Sequence, residues 1–115
     1  MKSVKWMKFM KEGIMLLVRD VFRLKYGQAR PALALFQESK GLMKQVGMTM
    51  PFRVLTDLVG PAYTLVLETT VPDLATFEAE GKKIMGNDQW RAWYQKFTPY
   101  VDSGYREIFT IVDQG

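Results

Sequence analysis

Two strand-like stretches near the middle of the chain are separated by only three residues, and this spacing strongly limits the fold. Residues 52–58 (FRVLTDL) and 62–71 (AYTLVLETTV) contain many β-branched and aromatic side chains, which favour strands. The residues between them, VGP at 59–61, are typical of a turn. Strands joined by so short a connection run antiparallel. The sequence therefore predicts a central antiparallel hairpin, around which the other elements are arranged.

A strand and a helix are predicted on the N-terminal side of this hairpin. Residues 14–26 (IMLLVRDVFRLKY) have branched and aromatic side chains without an internal glycine or proline, and the stretch ends at Gly27. Residues 28–46 place apolar side chains at the spacing of one helix face. Pro31 is tolerated only in the first turn of that helix, and Gly47 suits its C-terminal end.

A helix and a strand are also predicted after the hairpin. Asp73 is a suitable N-cap for a helix that begins after it. The segment GND interrupts this helix, and Asp88 is expected to cap a second helical piece. The segment DSG at 102–104 predicts a turn, and residues 105–112 (YREIFTIV) predict the final strand.

These elements occur in the order strand, helix, strand, strand, helix, strand. The βαββαβ order is that of ferredoxin-like folds, which are α+β proteins with a four-stranded antiparallel sheet and both helices on one face. A chain of 115 residues is long enough for one such domain. We assign residues 14–115 to this domain. Residues 1–13, in which a lysine recurs at every third position, are assigned to a basic N-terminal extension.

The chain contains neither cysteine nor histidine. Without cysteine it has no disulfide and no thiolate metal site, which fits a cytoplasmic location. Without histidine it lacks the usual general base, the usual haem ligand and the commonest zinc ligand. We therefore expect no metal site and no cofactor. No apolar run approaches the roughly 20 residues of a membrane-spanning helix, so we expect no membrane span.

The positive charge is concentrated near the N-terminus. Residues 1–30 hold eight lysines and arginines against two acidic residues, whereas residues 31–115 hold eight basic and ten acidic residues. The net charge of +4 therefore describes the N-terminal part and not the whole surface. For this reason we do not expect a nucleic acid as the main partner.

Four large rings follow one another at helical spacing in the segment WRAWYQKF. Trp90, Trp93, Tyr94 and Phe97 occupy positions i, i+3, i+4 and i+7, which fall within an arc roughly 100° wide. Such a stripe is typical of a helix face packed on a sheet or on a partner subunit. Trp93 and Phe97 are predicted to be the most deeply buried pair. Trp90, at the helix start, is predicted to lie at the rim of a pocket.

Three segments resemble a known group of proteins: residues 16–38 (LLVRDVFRLKYGQARPALALFQE), 54–69 (VLTDLVGPAYTLVLET) and 87–112 (NDQWRAWYQKFTPYVDSGYREIFTIV). The chain is similar to the dimeric α/β-barrel superfamily, and most similar to short bacterial NIPSNAP-like proteins. The resemblance implies a homodimer in which two subunits pair their sheets into a barrel. It also implies a cavity, either between sheet and helices or within the barrel. The superfamily includes cofactor-free monooxygenases, lactone isomerases and haem enzymes. Its haem-binding branches use a histidine, which this chain lacks.

A set of charged side chains is predicted on the sheet face that points away from the helices: Arg19, Arg23, Asp57 and Glu68. The final strand is expected to add Arg106 or Glu107. In a barrel dimer this face becomes interior, and its charges must be paired. One interpretation is a pocket for an anionic or carbonyl-bearing molecule, with Arg19 or Arg23 as the donor. The other is an ion-pair network at the dimer interface.

These observations leave three functional hypotheses. The first is a homodimeric α/β-barrel protein that binds a small aromatic or carbonyl-bearing molecule, with Arg19, Arg23, Asp57, Glu68 and Trp90 as candidate ligand contacts. Catalysis would then be cofactor-independent monooxygenation or isomerisation, for which the sequence identifies no catalytic residue. The second is a non-catalytic structural or binding dimer. The third is an RNA-binding module that uses the basic extension.

Overall fold

The computed structural model of the chain describes residues 15–48 and 50–114, which form four strands and three helices. The strands are β1 (Leu16–Leu24), β2 (Phe52–Thr56), β3 (Thr64–Val71) and β4 (Val101–Thr110). The helices are α1 (Ala29–Val46), α2 (Leu74–Met85) and α3 (Asp88–Phe97), and a short 3-10 turn follows at Thr98–Tyr100. The predicted α+β fold with βαββαβ order is confirmed. The predicted extension at residues 1–13 lies outside the described residues.

The strands form one antiparallel sheet in the order β2-β3-β1-β4. Within β1, Asp20 is paired with Leu67 on β3 and with Arg106 on β4, while Arg19 is paired with Glu68 and Glu107. Because side chains alternate between the two faces of a sheet, these neighbouring sets point in opposite directions. Asp20 and Arg106 belong to the face that carries the helices. The charges of Arg19, Glu68 and Glu107 belong to the other face, which we call the outer face.

The core lies between the sheet and helices α1 and α3. Phe36 of α1 meets Trp93 and Phe97 of α3, with ring centroids 5.4 and 5.1 Å away. Trp93 and Phe97 are only 4% and 1% exposed, which agrees with their predicted burial. The indole N–H of Trp93 is also satisfied, since it donates to the backbone oxygen of Leu35 over 2.6 Å. Tyr94 is 46% exposed, so the aromatic stripe is narrower than predicted.

Helices α2 and α3 are each capped at the N-terminus by the side chain of the residue just before the helix. Asp73 accepts a hydrogen bond from the backbone N–H of Thr76 over 2.7 Å, which confirms it as the N-cap of α2. The prediction for α3 was wrong by one residue. Asn87, and not Asp88, is its N-cap and accepts from the backbone N–H of Trp90 over 2.9 Å. Both residue types can cap a helix, so the sequence alone did not separate them.

The predicted turn at residues 102–104 is also wrong, because β4 begins at Val101 and runs through this segment. Pairing with β1 overrides the turn preference of the segment, and the register shifts by a bulge at Arg23–Leu24. Gly104 lies opposite Phe22. A Cβ atom at Gly104 would lie 3.2 Å from the backbone oxygen of Val21 and 3.3 Å from the Phe22 ring. Glycine therefore lets β4 approach Phe22 closely at this point.

Candidate functional site

A cavity of about 930 Å³ lies between the helix-bearing face of the sheet and helices α2 and α3. Most of its wall is apolar. The side chains that dominate it are aromatic rings and methionines from the sheet, from the helices and from the segment before β2: Phe22, Phe36, Phe52, Phe77, Trp90 and Met50. Trp90 lines the cavity, as do Trp93, Tyr94 and Phe97 of the same helix, and its ring lies 4.7 Å from that of Trp93.

Helix α2 supplies one side of the cavity through a row of residues at helical spacing. Phe77, Glu80, Gly81 and Ile84 all line it, and they occupy positions i, i+3, i+4 and i+7. Leu74, three residues before Phe77, is 51% exposed and is not part of this row. Gly81 leaves room within the row, because no heavy atom lies within 4 Å of the position that its Cβ would occupy.

A charged pair on two adjacent strands forms the polar part of the cavity wall. Arg106 of β4 donates from Nε to Asp20 Oδ1 over 2.6 Å and from Nη2 to Asp20 Oδ2 over 3.4 Å. The guanidinium group also lies 4.9 Å from the centre of the Phe77 ring. Asp20 is mostly covered, with 18% of its side chain exposed, whereas Arg106 is 53% exposed. The carboxylate and the ring thus hold the guanidinium in place while part of it stays accessible.

A second carboxylate at the cavity lacks such a partner. Oε2 of Glu80 is buried and has no hydrogen-bond partner within residues 15–48 and 50–114. Its other oxygen, Oε1, lies 3.6 Å from Nζ of Lys83, which is an ion pair without a short hydrogen bond. The cavity therefore contains one carboxylate that is engaged by an arginine and one that keeps an open acceptor.

The outer face of the sheet carries a separate ion-pair network centred on Glu68. Its side chain is only 2% exposed, and it accepts from Arg19 Nη2 over 2.8 Å and from Arg53 Nε over 2.7 Å. The hydrogen bond from Arg19 lowers the pKa of Glu68 most, burial acts in the opposite direction, and the bond from Arg53 lowers the pKa further. Glu68 therefore remains an ionised carboxylate surrounded by arginines.

The other two predicted site residues both contact Thr64 at the start of β3. Arg23 Nη1 donates to the Thr64 hydroxyl oxygen over 2.7 Å, and Asp57 Oδ1 accepts from the Thr64 backbone N–H over 2.9 Å. These contacts stabilise the closed end of the β2–β3 hairpin. Of the five predicted site residues, the structure brings Arg19 together with Glu68, and Arg23 with Asp57 through Thr64. Trp90 lies at the cavity on the other side of the sheet.

The polar groups of the cavity were not predicted from the sequence. Either Arg106 or Glu107 was expected on the outer face. The register places Glu107 there, opposite Arg19, and Arg106 on the helix-bearing face, opposite Asp20. The sequence does mark Asp20 as unusual, because it is a charged residue on the otherwise apolar side of β1. The sequence marks Glu80 less clearly, because it lies three residues after Phe77 on an otherwise apolar face of α2. A charged residue within an apolar face was the pattern that pointed to this cavity.

The described part of the chain contains neither a candidate metal site nor a membrane-spanning helix. Within it, no group of three or more acidic side chains is arranged to hold a metal ion. No helix among the same residues has the length and apolar character needed to cross a membrane.

Solved structures with the same architecture include several NIPSNAP proteins. A NIPSNAP family protein from Agrobacterium tumefaciens superposes with a TM-score of 0.77 at 14% identity, over 85% of this chain and 86% of that one. A NIPSNAP domain protein from Burkholderia xenovorans gives 0.75 at 18% identity, over 83% and 92%. The chain has the ferredoxin-like fold of NIPSNAP family proteins. At these identities the likeness defines the fold and not the activity.

A third solved structure with a similar fold is not a NIPSNAP protein. An antibiotic biosynthesis monooxygenase superposes with a TM-score of 0.63 at 15% identity, over 82% of this chain and 95% of that one. No protein-family model matches the chain, and no curated protein matches it in sequence.

Proposed function

We propose that this chain forms a homodimeric α/β barrel and binds a small aromatic or carbonyl-bearing molecule in the cavity between the sheet and helices α2 and α3. One observation carries the proposal, namely the apolar cavity of about 930 Å³ with the Asp20–Arg106 pair in its wall. Small-molecule sites are commonly about 300–1,000 Å³ in volume, largely apolar, and fitted with a few polar groups that orient the ligand. Arg106 is the group that orients a ligand oxygen, and Trp90 contributes an aromatic wall.

The same groups are suited to chemistry without a cofactor. A guanidinium group stabilises the negative charge that develops on the oxygen of a carbonyl compound, or of its hydroquinone form, when a proton passes from it to solvent. The resulting anion either regains the proton at another carbon, which is isomerisation, or transfers electrons to dioxygen, which begins a monooxygenation. The likeness to the antibiotic biosynthesis monooxygenase supports the second reaction. Binding without turnover would instead favour the non-catalytic binding dimer.

In this proposal the outer-face residues have a structural role. Arg19 and Glu68 form an ion-pair network at the interface between subunits, and Arg23 and Asp57 hold the β2–β3 hairpin through Thr64. The ligand is contacted on the other face, by Trp90 and Arg106.

Removing the guanidinium should weaken binding of a carbonyl ligand. We expect Arg106→Met to reduce the affinity for 6-methyl-1,4-naphthoquinone at least tenfold, because a hydrogen bond to a charged group contributes about 1.5–3 kcal/mol. Isothermal titration calorimetry measures this directly. Oxygen uptake with the corresponding hydroquinone, above its rate without protein, reports turnover, because the quinone itself has no electrons to give to dioxygen.

Arg91→Met is the matched control for this substitution. Arg91 also forms an ion pair with a carboxylate, Asp88 at 2.7 Å, but it is exposed on α3 and does not line the cavity. Its loss should leave binding unchanged. Equal losses in both variants would show that the effect of Arg106 is not specific to the site. Absence of any binding by the unchanged protein would contradict the proposed function.

The proposed dimer should be detectable from the molar mass of the protein in solution. The outer face exposes Tyr105 (57%) and Phe109 (45%) next to the buried Glu68 network, and pairing two such faces would remove on the order of 2,000 Å² from water. Light scattering at low micromolar concentration should give twice the chain mass of 13.3 kDa.

Two tyrosine variants locate the interface. Tyr105→Asp should shift the protein toward the monomer because it buries a charge between the subunits. Tyr94→Asp, on the exposed side of α3, should leave the mass unchanged. A monomeric unchanged protein would reject the dimer, and dissociation by Tyr94→Asp instead of Tyr105→Asp would reject the outer face as the interface.

A further inference from the structure

Glu80 lines the cavity and has a buried oxygen that the proposed function has not used. Its Oε2 has no donor among the described residues, although the atom is buried. A buried oxygen of this kind is unfavourable unless a hydrogen bond satisfies it, and such atoms are uncommon in folded proteins. Glu80 lines the cavity together with Phe77, Gly81 and Ile84 on the same face of α2. Because the last torsion of a glutamate side chain is broad, a rotation of the carboxylate brings Oε2 to the cavity, where a bound molecule can supply the donor.

The neighbours of Glu80 leave that acceptor open. Lys83 faces the other oxygen, Oε1, at 3.6 Å, and the lysine side chain is 56% exposed. Arg106, the one arginine of the cavity wall among the described residues, is already held by Asp20. A carboxylate only accepts hydrogen bonds, so the group that satisfies Oε2 must bring its own hydrogen.

The positions of Arg106 and Glu80 define a pair of complementary contacts. Arg106 lies against the ring of Phe77, and Glu80 follows Phe77 by three residues, or about 4.5 Å along the helix axis. A ligand that places an oxygen acceptor at Arg106 therefore passes along the Phe77 side of the cavity towards Glu80. Its body is in contact with aromatic rings between these two points.

We propose that Glu80 accepts a hydrogen bond from a ligand hydroxyl, so that the cavity selects hydroxylated aromatic carbonyl compounds over analogues that lack the hydroxyl. This selectivity rests on the proposed function, since it concerns the same cavity. Arg106 recognises the carbonyl oxygen, and Glu80 recognises the hydroxyl at the other end of the molecule. Discrimination of this type is strong because only the hydroxyl compound supplies a hydrogen bond to an acceptor that otherwise stays buried without a partner.

Two ligands of nearly equal size test the proposal. 6-Hydroxy-1,4-naphthoquinone carries a hydroxyl on the ring away from its carbonyls, and 6-methyl-1,4-naphthoquinone carries a methyl group there. In calorimetry at mildly acidic pH, where the hydroxyl keeps its proton, the unchanged protein should bind the hydroxyl compound at least tenfold more tightly. Glu80→Leu should abolish this preference, and Glu80→Gln, which keeps an oxygen acceptor, should retain part of it.

The methyl compound and a distant carboxylate serve as controls. The affinity for the methyl compound should change less than threefold in Glu80→Gln. Glu38→Gln, on the exposed side of α1, should change the affinity for neither ligand. Equal affinity of the unchanged protein for both ligands would overturn the selectivity while leaving the proposed cavity intact. A preference that persists undiminished in Glu80→Gln and Glu80→Leu would also overturn it. Failure of both ligands to bind would overturn the proposed function itself. If Glu80→Leu does not fold, the test rests on the ratio of the affinities of Glu80→Gln for the hydroxyl compound and the methyl compound.

Discussion

We expect Phe97→Ala to destabilise the protein by about 3–5 kcal/mol, the usual cost of emptying a large buried aromatic site. Phe97 is 1% exposed and lies at the centre of the aromatic core. Its ring is 5.3 Å from Phe22 and 5.1 Å from Phe36, both edge to face, and it stacks on Trp93 at 5.2 Å. Alanine would remove contacts with the sheet and with both helices at once. Urea unfolding followed by circular dichroism measures the loss.

Two other aromatic residues of α3 provide the comparison. Trp90→Ala should cost distinctly less, because Trp90 is only partly buried and faces the cavity as well as Trp93. Tyr94→Ala should cost least, since that side chain is 46% exposed. If Trp90→Ala proves as destabilising as Phe97→Ala, Trp90 belongs to the closed core and not to the wall of a binding cavity.

Glu68→Ala should have the second largest effect and lower the free energy of unfolding by about 2 kcal/mol at neutral pH in a separate subunit. Glu68 is buried and joins Arg19 and Arg53, which are 40% and 72% exposed. Removal of a partner from a fully buried ion pair typically costs about 3–5 kcal/mol. In a separate subunit the cost should be smaller, because both arginines can turn to water; in the proposed dimer, which covers this face, it should lie nearer the full value. Chemical unfolding should give an intermediate loss, and Glu78→Ala, at an exposed position of α2, should change stability little.

The pH dependence of this effect has a definite sign. The pKa of Glu68 is lowered below its ordinary value of 4.5, chiefly by the hydrogen bond from Arg19. Its stabilising contribution is therefore complete above the pKa of the unfolded state and is lost as the pH falls through the lower pKa of the folded state. The stability difference between the unchanged protein and Glu68→Ala should shrink in acid. A difference that grows on acidification would contradict the ion-pair account.

The fold could be predicted because its signals are local. The hairpin follows from three turn residues, and the ends of α1 and α2 follow from Gly47 and Asp73. The error at residues 102–104 has a different origin, because there the pairing with β1 decides the conformation and a local turn preference does not. Tyr94 shows the same limit, since helical spacing gives the direction of a side chain but not the width of the surface that covers it.

The site was harder to predict because it depends on distant contacts. Asp20 and Arg106 are 86 residues apart in the chain, and only the register between β1 and β4 brings them together. A shift of one residue would have placed Arg106 on the outer face, which is why the sequence left Arg106 and Glu107 as alternatives for that face. The open acceptor on Glu80 depends on what surrounds it in three dimensions, and no sequence pattern reports the absence of a donor.

The central claim, that the cavity beside α2 binds a ligand, is tested most directly by filling it. No heavy atom lies within 4 Å of a Cβ added at Gly81 or at Gly41, so both tolerate a side chain, but only Gly81 lines the cavity. Leucine should favour either helix over glycine by up to about 1 kcal/mol. We predict that Gly81→Leu keeps its thermal stability and binds 6-methyl-1,4-naphthoquinone at least tenfold more weakly, while Gly41→Leu binds it normally. Normal binding by a folded Gly81→Leu variant would contradict the claim.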